Sequence, residues 1–266
     1  MKPKKHLGQN FLINESILPT IIKAAEIKPD DVVIEVGPGT GILTEKLLKA
    51  GAKVFAIEKD FDLIAGLTQK FGNNKNLKIV HQDALFFDET TFDKYRVVAN
   101  LPFNVAAPLI RKFLESSNQP EMMVLMVQKE VAEKIVAKPG DSERGILTLS
   151  VEFYGNAEII ADVSKNSFKP MPKVDAAVIK IKPKKLHLSG GGKSVESKLF
   201  FRIVKAGFAA KRQQIHNSLA ATLRLPKDQV KNILTRSSID PQLRAEDLTL
   251  KDWINLCKTF KSTIGN

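Results

Sequence analysis

The sequence predicts an α/β fold: a mainly parallel sheet covered on both faces, with a small all-helical domain after it. Three observations carry this expectation. Short apolar, β-branched runs alternate with helical patterns through most of the chain. A glycine loop, Gly37-Pro38-Gly39-Thr40-Gly41, directly follows the first of those runs. Beyond a lysine- and glycine-rich break, only helical periodicity remains.

Val32-Val33-Ile34-Glu35-Val36 reads as a buried strand, and Thr44 to Ala50 as the helix after it. Val54 to Ile57 reads as a strand and Leu63 to Phe71 as a helix, with Leu63, Leu67 and Phe71 on one face. Leu77–Val80, Tyr95–Ala99 and Met122–Val127 read as further strands, and Pro108–Ser116 and Gln128–Ala137 as helices. Ile146 to Tyr154 fits helix or strand by pattern. Ala157–Val163 and Ala176–Ile181 read as strands. The two prolines of Phe168-Lys169-Pro170-Met171-Pro172 bar it from an ordinary strand interior. The boundaries follow: a first domain over 1–183, a basic, flexible linker over 184–194 and a helical domain over 195–266. In the last, Val195, Leu199 and Ile203 share a face, and Pro226 suits a helix's first turn. Thr249 with Asp252 resembles a capping box ahead of Trp253, Leu256 and Phe260.

With 266 residues, 43% hydrophobic and 26% charged, the chain can build one large domain plus a small one. Lys and Arg total 41 against 29 Asp and Glu, and the net charge of +12 points to a polyanionic partner, most simply nucleic acid. The single cysteine, Cys257, excludes an internal disulfide framework and a cysteine-based zinc site. His6, His81, His187 and His216 lack metal-ligand spacing, and neither HExxH nor G-x-S-x-G occurs. Phe11-Leu12-Ile13 is too short for a signal sequence, and no run approaches the roughly 20 apolar residues of a membrane span. A cytoplasmic protein with no membrane association is expected.

The chemistry gathers at the predicted C-terminal ends of the strands, where open α/β sheets bind ligands. The glycine loop permits a tight turn and close backbone approach to a cofactor. A dinucleotide fingerprint needs G-x-G-x-x-G, but position 42 is Ile and the third glycine falls at Gly41. That spacing favours S-adenosylmethionine over NAD. Glu58 ends the second strand, where a carboxylate can accept from both ribose hydroxyls. Asp83, in His81-Gln82-Asp83-Ala84, can accept from the adenine amino group. Asn100-Leu101-Pro102-Phe103 suits holding an amino-bearing base beside a methyl donor: an amide oxygen and carbonyls accept from the amine, proline fixes their direction and an aromatic stacks. Phe168 is either a second aromatic for that base or a core residue. Lys205, Lys211, Arg212, His216 and Arg224 either track RNA phosphates or form a solvated helix face. Gly190-Gly191-Gly192-Lys193-Ser194 lacks the first glycine of a P-loop, since position 187 is His, and reads as linker.

Together these residues resemble the ribosomal RNA adenine dimethyltransferase family, in particular its bacterial small-subunit adenine N6,N6-dimethyltransferases. The resemblance runs from Gly8-Gln9-Asn10-Phe11-Leu12 through Glu35 to Gly41, Glu58, Gln82-Asp83-Ala84, Asn100 to Asn104, Gln128-Lys129-Glu130 and Phe168 to Asp175, and on to Lys211-Arg212 and Asn217-Ser218-Leu219. It implies a Rossmann-like methyltransferase sheet with S-adenosylmethionine as donor and no metal. It assigns cofactor contacts to Asn10, Leu12, Gly37 with Gly39, Glu58, Asp83 and Asn100. It assigns the target base to Asn100, Leu101, Pro102, Phe103 and Phe168. The implied substrate is two adjacent adenosines near the 3′ end of small-subunit (16S) rRNA, the implied partner is the immature small ribosomal subunit, and a monomer is expected. Two departures are visible: Phe103 stands where Tyr is commoner, and Gln213-Gln214-Ile215-His216 is less basic than usual. The competing readings are a large-subunit rRNA adenine methyltransferase of the macrolide-resistance type and a ribosome-assembly factor that mainly binds. A nicotinamide oxidoreductase is disfavoured by the glycine spacing.

Overall fold

A computed structural model describes residues 3–4, 8–184 and 195–264; almost all of the expected linker, with His187 and Gly190–Ser194, lies outside the described residues, as does His6. By their contacts the described residues form two compact units, one built from residues up to 133 with 154 onward to the linker, the other from 134–153 with the C-terminal helices.

The first unit holds the sheet. In chain order its strands are β1 (Phe11–Leu12), β2 (Val32–Val36), β3 (Lys53–Glu58), β4 (Leu77–His81), β5 (Arg96–Asn100), β6 (Met122–Gln128), β7 (Gly155–Val163), β8 (Phe168–Lys169) and β9 (Ala176–Pro183). Seven of them pair in the order β4-β3-β2-β5-β6-β9-β7, and β1 pairs separately with β8. The run from β4 to β6 is parallel, while β9 and β7 add antiparallel. The central strands are closed to solvent on both faces: Val33, Ile34, Val97, Val98, Met123 and Met126 are all 0% exposed. That explains why they read as unbroken apolar runs without alternation. The chain moves outward from β2 to β4, then returns to start β5 on the other side of β2. This reversal opens a crevice beyond the ends of β2 and β5, where such sheets take ligands.

Helices join these strands: α1 (Leu18–Ala24), α2 (Ile42–Lys49), α3 (Phe61–Phe71), α4 (Ala106–Glu115), and α5 (Lys129–Val136), which crosses into the second unit. Three of them, α2, α3 and α4, begin two residues before their expected starts. Gly41 caps α2 in the left-handed region at φ 76°, so the helix starts at Ile42. A Cβ on Gly41 would lie 2.6 Å from the Phe71 ring, which admits no other residue without a shift. In α4, Pro108 occupies the first turn, where its missing N–H has no helical partner to lose. The two-residue β8 ends at Pro170, in keeping with the proline argument.

The second unit contains α6 (Ile146–Tyr154), which settles the ambiguous segment as helix, then α7 (Val195–Gly207), α8 (Ile215–Leu223), α9 (Lys227–Arg236) and α10 (Leu250–Ile264). Segment 134–153 packs with these helices although it precedes the linker. Arg144, 0% exposed, explains much of this. Its guanidinium donates to the carbonyls of Ala137 (3.0 Å) and Leu248 (3.2 Å) and to both Glu152 oxygens (2.8 and 2.7 Å). Phe153 stacks on Phe200 with centroids 4.4 Å apart. The capping box forms: Asp252 N–H donates to Thr249 Oγ1, and Thr249 N–H to the Asp252 carboxylate. Trp253 and Leu256 are fully buried behind it. Pro226 is the residue before α9, one earlier than expected.

Candidate active site

Three strands that meet the crevice, β2, β4 and β5, each continue into the loop that follows through a backbone hydrogen bond that extends the parallel ladder. Gly37 N–H donates to Ile57 O (2.9 Å), Gln82 N–H to Glu58 O (3.0 Å) and Leu101 N–H to Met126 O (3.1 Å). The glycine loop, Glu58, Asp83 and the Asn100 quartet are therefore fixed at one level. They line a single cleft together with Asn10, Phe11 and Leu12. All expected cofactor residues, Asn10, Leu12, Gly37, Gly39, Glu58, Asp83 and Asn100, border it, as do Leu101, Pro102 and Phe103.

Glu58 is 6% exposed, and burial raises its carboxyl above the ordinary range. Backbone donors oppose that: Asp60 N–H reaches Oε1 at 2.8 Å and Gly39 N–H reaches Oε2 at 3.4 Å. Its remaining lone pairs suit a diol. Asp83 differs. Its Oδ2 accepts from Lys59 Nζ (2.9 Å) and its Oδ1 from Leu85 N–H (3.0 Å), and the Lys59 hydrogen bond first, then Leu85, hold its pKa below the usual carboxylate value. Glu35, 1% exposed, also borders the cleft; burial pushes its carboxyl up to about 8 despite a 2.6 Å hydrogen bond from Thr44 Oγ1.

The quartet turns sharply: Val105 N–H donates to Pro102 O at 3.1 Å. A Cβ on Gly37 would lie 3.6 Å from Pro102 Cδ, and one on Gly39 would lie 3.2 Å from the Phe11 ring. Loop, quartet and N-terminal segment are thus in mutual contact. Phe168 stands one layer back from the expected position. It is 3% exposed, belongs to the apolar core and does not border the cleft; its ring meets Phe103 edge-on at 6.4 Å and 67°. Of its two sequence readings, the core position is the one observed, because pairing of Leu12 with Phe168 turns that side chain inward.

The basic set of the second unit is also split. His216 is 8% exposed with Nδ1 2.7 Å from Pro241 O, so it is a packed helix residue. Lys211 bonds the Ser142 carbonyl. Sequence reading missed Asp60, Lys59 and Met126. Lys59 and Asp60 directly follow Glu58, and a carboxylate ahead of a helix is a capping signal; Met126 had none. Among the described residues no helix is long and apolar enough to cross a membrane, and no cluster of three His, Cys, Asp or Glu could hold a metal ion.

The chain is 43% identical, over 98% of its length and 89% of the relative, to the ribosomal RNA small subunit methyltransferase A of Dehalococcoides mccartyi. It superimposes on a dimethyladenosine transferase from Plasmodium falciparum with a TM-score of 0.78, 28% identity and coverage of 95% and 98% of the two chains. The 23S rRNA methyltransferase ErmE follows at 0.73, with 25% identity and coverage of 94% and 99%. The model of the family described as ribosomal RNA adenine dimethylase matches residues 1–262. The protein belongs to that family, the S-adenosylmethionine-dependent enzymes that dimethylate adenine in ribosomal RNA.

Proposed function

We propose that this enzyme dimethylates N6 of two adjacent adenosines near the 3′ end of small-subunit rRNA, acting as a cytoplasmic monomer on the immature small subunit. The observation that carries the proposal is the abutment of the Asn100–Phe103 turn on the Gly37 loop inside one cleft, where a donor and a base amine can meet. The small-subunit assignment rests on the 43% identity to a small-subunit enzyme, against 25% to ErmE.

The residues fit S-adenosylmethionine. Glu58 offers a buried carboxylate to the ribose diol, Asp83 an acceptor to the adenine amine, and Gly37 and Gly39 expose backbone in left-handed conformations, with a Cβ on Gly39 crowding the Phe11 ring. When bound, the donor supplies an electrophilic methyl group on a sulfonium centre. The Asn100 amide oxygen and the Leu101 carbonyl accept the two N–H bonds of the target amine. This favours a pyramidal nitrogen, whose lone pair then points out of the ring plane. Orientation of this kind is worth about 7–11 kcal/mol in well-aligned systems. Phe103 stacks on the extruded base, as base-modifying enzymes require. Phe168 braces Phe103 edge-on and fixes the stacking plane.

The test is incubation with labelled S-adenosylmethionine and either unmethylated small subunits or large subunits, followed by nucleoside mass spectrometry. N6,N6-Dimethyladenosine in small-subunit rRNA alone is expected. Product in large-subunit rRNA alone would transfer the enzyme to the resistance class that its likeness to ErmE keeps in view.

A further inference from the structure

Asp60 is 4% exposed, and its surroundings exceed what a helix cap needs. Its Oδ1 caps α3 by accepting from Asp62 N–H (3.1 Å). The same oxygen accepts from Lys4 Nζ at 2.6 Å, and Oδ2 accepts from Gln9 Nε2 at 2.8 Å. The other end of the Gln9 amide is also occupied: Lys4 N–H donates to Gln9 Oε1 at 2.7 Å. Lys4, Gln9 and Asp60 thus close a ring. Burial raises the Asp60 carboxyl, but the hydrogen bonds from Lys4, Gln9 and Asp62 outweigh it, so the group sits below its ordinary value and is charged. On its backbone side, Asp60 N–H donates to Glu58 Oε1.

One residue therefore connects two parts of the cleft far apart in sequence. Through its main chain it orients Glu58; through its carboxylate it holds Gln9, the neighbour of Asn10. We infer that Asp60 is a positioning residue for the cofactor. It clasps the N-terminal segment bearing Asn10 and Leu12 to the loop bearing Glu58, so that both sides of the grip are set together. The inference rests on the reading that Asn10, Leu12 and Glu58 hold the donor. Among the described residues, Gly8 against Asn104, Phe11 against Gly39 and the β1–β8 pairing also pin the same segment, and the clasp adds to these contacts. Without it, each cofactor-binding event must order residues 8–12 as well, at a cost in affinity.

The test is binding of S-adenosylhomocysteine by calorimetry to the full chain, with hydrogen exchange of residues 8–12 read in parallel. Asp60→Ser keeps a cap oxygen for α3 but cannot reach Gln9 or Lys4. It is expected to weaken binding about tenfold and to speed exchange in 8–12, with little change in unfolding temperature. Gln9→Ala is expected to match it, and the double variant to be no worse than either single, because both break one ring. Lys4→Ala is expected to cost about twofold, an effect that disappears at high salt. Multiplying effects in the double variant, or normal binding by Gln9→Ala, would overturn the role and leave Asp60 as a cap. No binding by the unaltered protein would overturn the cofactor reading itself and this role with it.

Discussion

Arg144 and Glu58 are both charged side chains withdrawn from solvent, one in the helical unit and one at the cleft of the sheet unit, and they are partnered differently. Arg144 is spent within the fold: two carbonyls and a bidentate carboxylate take up its donors. Glu58 meets two backbone N–H groups, one of them at 3.4 Å, and keeps lone pairs toward an open cleft. Glu35 is buried at the same cleft with a raised carboxyl. A buried charge that the fold satisfies reads as structural. One that the fold satisfies incompletely beside a cavity reads as kept for a ligand.

The comparison predicts that substitutions in the two regions separate activity from stability. The largest effect is expected for Asn100→Ala at the cleft. Removing an acceptor preorganised for the reacting amine is expected to lower kcat by on the order of 10²–10³. Unfolding temperature should be nearly unchanged, since the residue is only partly buried at a strand end. Single-turnover methylation beside a thermal melt measures both. A large drop in melting temperature that accounted for the lost activity would break the distinction.

Arg144→Met reverses the pattern. It leaves the Ala137 and Leu248 carbonyls without their guanidinium donor and Glu152 without its partner. Breaking a buried pair costs about 3–5 kcal/mol, and the low end applies because the Glu152 side chain keeps 30% exposure. Urea unfolding should show the loss, while S-adenosylhomocysteine affinity of the folded protein stays within about twofold. Unchanged stability would mean that segment 134–153 is held to the helices by Phe153 and its neighbours instead.

The two regions were also unequally legible in the sequence. The sheet strands were visible because burial on both faces writes them as apolar runs, and the cleft residues because glycines and acids punctuate those runs. Strand order was not visible: no local pattern encodes that β9 inserts between β6 and β7. The N-terminal β1 and α1 were missed: a two-residue strand has no periodicity, and seven-residue α1, with Pro19 in its first turn, spans barely two turns of it. The capping box at Thr249 was readable since all its partners are local. Arg144 was not, because its 104-residue reach to Leu248 leaves no sequence signal. The same holds for Asp60, whose partner Gln9 is 51 residues away. Phe168 was legible only as a choice between two readings, and its pairing with Leu12, which buries the ring, depends on residues far apart in sequence.

The smallest expected effect sharpens the comparison through pH. Burial raises the Glu35 carboxyl from an ordinary 4.5 to about 8, so the folded state binds its proton more tightly than the unfolded chain does. The stability associated with that proton is complete below about pH 4.5 and is lost as pH rises toward 8. Glu35→Gln keeps an acceptor for the Thr44 hydroxyl and carries no charge to desolvate. It is expected to match the unaltered protein near pH 4 and to exceed it above pH 8, by on the order of 2 kcal/mol after relaxation of the site. Urea midpoints across that range give the difference curve. Arg144→Met should give a flat difference over the same range, since a guanidinium stays charged throughout. Parallel curves for Glu35→Gln and the unaltered protein would mean that Glu35 is solvated through the cleft, and its buried carboxyl would then no longer set the cleft apart from the helical unit.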